Sequence, residues 1–232
     1  MDGHEAADTD SVNSLETSIQ KSNKRFAFSR TNGIISLKAC KKQNNTCVEE
    51  NDMLYTYSEC LEKFGSKYYI SKLVSEGKLF KQEKGFYSDE SYIPSLQIIS
   101  LKYPRAVFTM NSAFYYHNLT DVIPEKYYLM TRRGATHIVD PRVVQIFENS
   151  DYLMMGAELT EYNGIRLLMY NRERMLVELL RNKNKLPFDY YKEILGNYRS
   201  IINDLNIPEI QDYAYALPKS NMIMEALQTE VF

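Results

Sequence analysis

The sequence predicts an α+β protein: an N-terminal winged helix-turn-helix, a small α/β middle and a helical C-terminus. Three observations carry this prediction. Two short helical patterns split by Gly65 run into a pair of strand-like segments closed by Gly85. An Asn163-Gly164 pair lies between two apolar runs, the signature of a hairpin turn. From Arg172 onward, apolar residues recur at helical spacing.

The elements follow in order. Ser58 and Ser66 are predicted N-caps for two helices, since a hydroxyl accepts from the unpaired N–H groups of a first turn. Gly65 permits the sharp turn between them, and Gly77 stands where a C′ glycine ends the second. Leu79-Phe80-Lys81 and Phe86-Tyr87 read as short strands around Gly85. Tyr92 to Lys102 reads as a helix with Ile93, Leu96, Ile99 and Leu101 inward, stopped by Pro104. Ala106 to Thr109 is a buried-strand candidate, followed by a short helix capped by Asn111 or Ser112 and running through His117. Tyr127 to Thr131, Ile138-Val139 and Val143 to Phe147 are predicted strands, with turns at Gly134 and Pro141. Leu159 to Tyr170 is the hairpin. Three further helices follow a first one that ends near Arg181: Pro187 to about Leu205, Pro208 to about Leu217, and Ser220 to about Val231.

Composition limits the class. Of 232 residues, 44% are hydrophobic and 25% charged, so the chain has enough apolar material for a packed core. A net charge of −2 argues against a protein that coats nucleic acid without selectivity. Residues 53–87 are locally basic, with six lysines against four glutamates. Three cysteines (Cys40, Cys47, Cys60) leave one unpaired in any disulfide scheme, which suits a reducing cytoplasm. No stretch reaches the ~20 apolar residues of a membrane span. All 19 tyrosines and all seven prolines lie after Asp52. Residues 1–52, rich in Asp, Ser, Thr and Asn, are therefore expected to be a disordered extension, with a short strand or helical turn at 33–39. The working protein is expected to begin near Met53, with one domain at 53–90 and another at 91–232, the latter α/β to about 170 and helical beyond.

The second helix, from Ser66 to Glu76, has two unlike faces. Ile70, Leu73 and Val74, with Tyr69 beside them, form an apolar stripe at helical spacing. Lys67, Tyr68, Ser71, Lys72 and Ser75 form the opposite face. Short polar, cationic and aromatic side chains on one exposed face suit a helix that enters a major groove. The candidate DNA-contacting residues are Ser66 at the helix N-terminus, Lys67, Tyr68, Ser71 and Lys72 on the face, and Lys81 and Lys84 on the wing. The alternative is a protein-interaction module whose winged helix docks a partner protein.

Three segments together resemble a known family: YSECLEKFGSKYYISKLVSEGKLFKQEKGFYSDE from Tyr57, KYPRAVFTMNSAFYYHNLTDVIPEKYYLMT from Lys102, and YNRERMLVELLRNKNKLPFDYYKEIL from Tyr170. The family is that of the AbiEi-like antitoxins of type IV, abortive-infection toxin–antitoxin systems. The middle segment carries the most specific pattern, in Tyr103-Pro104, Ala106-Val107, Ser112-Ala113, His117, Leu119-Thr120 and Pro124. In the third, Arg174 stands before an amphipathic helix beginning at Met175. The resemblance spans Met53 to Phe232. It implies an autorepressor that binds inverted repeats in its own promoter and counters a nucleotidyltransferase-type toxin, without requiring a stable complex with it. A winged helix ordinarily has a further helix ahead of the helix-turn-helix. Met53 to Tyr57 is too short for one, so either residues 31–48 supply it or this branch lacks it.

Enzyme chemistry finds little footing. A nucleotidyltransferase toxin would pair a Gly-Ser turn with strand aspartates that hold Mg²⁺. Gly65-Ser66 is followed by no Asp-x-Asp, and the Asp8/Asp10 pair lies in the expected extension. Glu76-Gly77-Lys78 has the letters of a nuclease motif at a helix C-terminus, where capping is the ordinary role. His4, His117 and His137 are scattered and the cysteines lack zinc spacing, so no metal or cofactor is expected. His117 is read as a helix cap or a core hydrogen-bonder, and Arg132-Arg133 as a solvated loop pair.

Overall fold

The computed structural model describes residues 26–31, 34–39 and 54–232. The chain divides into two compact units, Met1–Tyr55 and Thr56–Phe232. In the first, β1 (Phe26–Thr31) and β2 (Ile34–Ala39) form an antiparallel hairpin, with Phe26 opposite Ala39. The element expected at 33–39 is thus a strand, and the described part of 31–48 supplies no helix. The rest of the expected extension lies outside the described residues.

The chain then forms β3 (Leu54–Thr56), α1 (Tyr57–Phe64), α2 (Lys67–Ser75), β4 (Phe80–Glu83) and β5 (Phe86–Ser88). The three strands make a sheet in the order β3–β5–β4. Next come α3 (Ser95–Lys102), β6 (Val107–Phe108), α4 (Met110–Tyr116), β7 (Tyr127–Arg132), β8 (Val143–Glu148), α5 (Ser150–Leu153), β9 (Ala157–Tyr162) and β10 (Ile165–Tyr170). The helical end comprises α6 (Arg172–Arg181), α7 (Phe188–Ser200), α8 (Ile207–Ala216) and α9 (Ser220–Ala226). A mixed α+β architecture is the result.

The larger sheet runs β8–β7–β6–β10–β9, with β7/β8 and β6/β10 parallel and the other pairs antiparallel. Asn163 and Gly164, both at positive φ, turn the β9–β10 hairpin as its sequence signal requires. Helix α6 is the centre of the core. Every residue from Arg174 to Leu180 is buried, with α4, α7, α8 and α9 against it. The apolar core joins Val107 and Phe108, Leu167 and Met169, and Met175 to Leu180.

Several expected boundaries move, each for a local reason. The first helix is capped by Thr56, not Ser58: the Thr56 hydroxyl accepts from the Glu59 N–H, and the Glu59 carboxylate accepts from the Thr56 N–H at 2.7 Å. This reciprocal pair satisfies two orphan donors at once, and Ser58 falls inside the helix. The helix expected from Tyr92 begins only at Ser95, because Pro94 occupies the capping position. Ile98 is buried there, whereas Leu101 is exposed. Neither Asn111 nor Ser112 caps α4, which starts at Met110. The buried Ser112 hydroxyl instead accepts from the Tyr128 N–H at 2.9 Å. Ile138-Val139 is loop. Parallel β7 and β8 need the chain to run back outside the sheet, and these residues lie on that return. Val139 is accordingly 91% exposed. Helix α7 ends at Ser200 and passes into a 3₁₀ turn at Ile202–Asp204, and the last helix ends in a π turn at Leu227–Val231.

Candidate nucleic-acid interface

The local geometry of 56–88 follows from its punctuation. Gly65, at φ +80°, sits in the left-handed region that side-chain-bearing residues avoid, and it turns the chain from α1 to α2. Ser66 caps α2 by accepting from the Tyr69 N–H at 3.2 Å, so that part of the Ser66 prediction holds. Between Thr56 and Ser88 the buried apolar side chains are Cys60, Ile70 and Leu79. Burial, the main cause, pushes the Cys60 thiol up to about 11, so it packs as a neutral side chain rather than a reactive thiolate. The Tyr57 N–H donates to the Gly85 carbonyl at 2.8 Å, tying the start of α1 to the β4–β5 turn.

Helix α2 separates its faces largely as its sequence predicts. Ile70 is 2% exposed, and Leu73 is half-buried. Lys67, Tyr68, Ser71, Lys72 and Ser75 are all exposed, Tyr68 at 80%. The inward stripe is narrower than expected, since Tyr69 and Val74 are 46% and 36% exposed. Lys81 and Lys84 are also exposed, on β4 and on its turn.

Not every cation is equally available. The Lys72 ammonium lies 3.8 Å from the Glu76 carboxylate, which Lys78 also holds at 2.9 Å. Glu76 and Lys78 therefore serve the C-terminal end of α2, in keeping with a capping role for Glu76-Gly77-Lys78. The Ser75 hydroxyl donates to the Lys72 carbonyl at 2.8 Å. Lys67, Tyr68 and Ser71 have no side-chain partner among the described residues. Their ammonium, phenol and hydroxyl groups can meet phosphate oxygens or base edges without breaking an internal bond.

Two features escaped the sequence reading. The first is a cluster beside the β4–β5 turn, where Glu83 meets Lys102 and Arg142. The second is a buried ionic network. Arg174, fully buried inside α6 rather than ahead of it, donates to Glu178 at 2.9 and 3.2 Å and to the Tyr152 and Met155 carbonyls at 3.3 Å. Its guanidinium also lies 4.8 Å from the Tyr170 ring centroid. Arg181 joins Glu178 to Glu148, and Asn182 donates to the second Glu178 oxygen at 2.9 Å. Gly156 permits this approach, since a Cβ there would stand 2.6 Å from that of Arg174. The spacing Arg174–Glu178 is visible in sequence, but ordinarily it marks a solvent-facing pair.

The remaining candidates separate. His117 is the C-cap residue of α4, and its Nε2 lies 2.7 Å from the Tyr170 carbonyl; both halves of its prediction hold. His137 is exposed beside Gln145, and Arg132 and Arg133 are exposed at a turn. His4, Asp8, Asp10, Cys40 and Cys47 lie outside the described residues. Among the described residues, no three His, Cys, Asp or Glu side chains gather as a metal site, and no helix is long and apolar enough to cross a membrane.

No family model matches the sequence, and no curated protein matches it. Among solved structures, the chain is similar to the RV2827C protein from Mycobacterium tuberculosis, with a TM-score of 0.51 and 14% identity. The match covers 77% of this chain and 72% of that one, a likeness of fold alone.

Proposed function

We propose that this protein is a DNA-binding autorepressor and antitoxin of a type IV, abortive-infection toxin–antitoxin operon. In this reading residues 54–88 act as a winged helix, with α2 in the major groove of an inverted-repeat operator and the β4–β5 hairpin as the wing on phosphate. The observation that carries it is the α2 face of Lys67, Tyr68 and Ser71, exposed and without internal partners among the described residues. Lys72 lies on the same face, and Lys81 and Lys84 are exposed on the adjoining hairpin. The antitoxin role is supported by the resemblance of 53–232 to AbiEi-like proteins. That role pairs the chain with a nucleotidyltransferase-type toxin, with no cofactor and no catalytic residue of its own.

Binding to a labelled fragment of the chain's own upstream DNA tests the reading. Replacing Lys67, Tyr68 and Lys72 together by Ala should abolish specific retention. Lys72→Ala alone, if it removes one phosphate contact, should weaken all sequences alike and reduce the salt slope by about 1. Retention equal to wild type in the triple variant would overturn the groove-facing assignment. A second reading, docking of a partner protein, draws on the exposed Tyr68 and Tyr69 rings and Val74. It expects no DNA retention, together with binding to the toxin that disappears when those three are replaced by Ala.

A further inference from the structure

We propose that Glu83, Lys102, Asp140 and Arg142 form a clamp that fixes the direction of the wing, making Glu83 a positioning residue for DNA binding by Lys81 and Lys84. The inference rests on the DNA-binding reading above. Its structural origin is a bulge in β4. Lys81 pairs with Tyr87 and Glu83 with Phe86, so the register shifts at Gln82. In a regular strand, residues 81 and 83 would share a face. Their partners here are consecutive residues, which face opposite ways, so the bulge turns Glu83 away from the side that carries Lys81. Lys81 is exposed and Glu83 half-buried, as that geometry requires.

Both Glu83 oxygens are occupied. One pairs with the Arg142 guanidinium at 2.5 Å, the other with the Lys102 ammonium at 3.3 Å. Those two cations converge on Asp140: Lys102 at 2.8 Å, and Arg142 through Nε and a terminal nitrogen at 3.0 and 2.9 Å. The Asp140 carboxylate is 3% exposed and held well below the usual range, chiefly by the Arg142 hydrogen bonds. Lys102 ends α3, whereas Asp140 and Arg142 lie on the return loop into β8. The hairpin is therefore pinned to two separate elements. A second strut is the Gln82 amide, which donates to the Glu90 carbonyl at 2.8 Å. Isolated surface ion pairs contribute little, but a bidentate, partly buried network of four groups is the arrangement that holds a geometry. Two acids and two bases also leave the cluster neutral, so its effect on DNA is one of placement.

Glu83→Gln separates placement from charge. Removing a negative charge beside a DNA-binding surface should, by Coulomb attraction alone, raise affinity. The clamp expects the opposite: affinity for the upstream fragment falls about fivefold. It also expects coupling. In the wild-type background, replacing Lys81 and Lys84 by Ala should lower the salt slope by about 2; in the Glu83→Gln background the same pair should change it little. A rise in affinity, or additive effects, overturns the clamp. If wild-type protein does not retain the fragment, the DNA-binding reading fails separately. Hydrogen exchange then decides the clamp: Glu83→Gln should speed exchange at amides of 80–88 and leave those of 127–131 unchanged. Equal exchange at 80–88 overturns it.

Discussion

Arg174 and His117 show how much a single residue's role depends on what surrounds it. An arginine two residues into a helix reads as surface, yet Arg174 has no exposed area, and its donors are committed to Glu178 and two backbone carbonyls. Taking one member from a buried ionic network strands the others away from water. Arg174→Met should therefore cost about 3–5 kcal/mol, read from urea unfolding at neutral pH. His117 offers a pH test. The Tyr170 carbonyl can only accept, so Nε2 carries the proton in the neutral ring. Burial, outweighing that hydrogen bond, lowers the ring's pKa below 6.5. Above 6.5 the ring is neutral in both states and contributes no pH dependence. As the pH falls below it, the unfolded chain takes up the proton first and the fold loses stability. Between about pH 7.5 and about 5.5, the urea midpoint of wild type should drop further than that of His117→Gln.

At the scale of elements, local chemistry was legible where it acts within a few residues. The Ser66 cap, the Gly65 turn, the Asn163-Gly164 hairpin and the α6 pattern all follow from neighbours in sequence. Thr56 was missed because two hydroxyls two residues apart offer rival starts. The deciding group is Glu59, which completes a capping box with Thr56. Thr56→Ala should accordingly cost about 1 kcal/mol in unfolding free energy, whereas Ser58→Ala should leave the urea midpoint nearly unchanged. Ile138-Val139 was misread for a different reason. Two β-branched residues favour a strand, but only the parallel pairing of β7 and β8 sends them outside the sheet.

Across the whole molecule, burial is uneven. The main core runs through β6, β10 and α6, whereas the segment from Thr56 to Ser88 buries only three apolar side chains, Cys60, Ile70 and Leu79, outside it. A core that small supports little independent stability. Amides of α1 and α2 should therefore exchange with solvent at lower opening free energy than those of α6, as native-state hydrogen exchange would measure. By itself the sequence determined the Gly65 turn, the β9–β10 hairpin, the two-faced α2 and the residues it turns outward. It did so because caps, turns and periodicity are read over three to eight neighbouring positions. Tertiary structure alone decided that Arg174 is buried, that β7 and β8 run parallel, and that Glu83 meets Lys102 and Arg142. Those partners lie 19 to 59 positions apart in the chain, as from Glu83 to Lys102 and to Arg142, and no local pattern encodes which distant side chain will neutralise a charge.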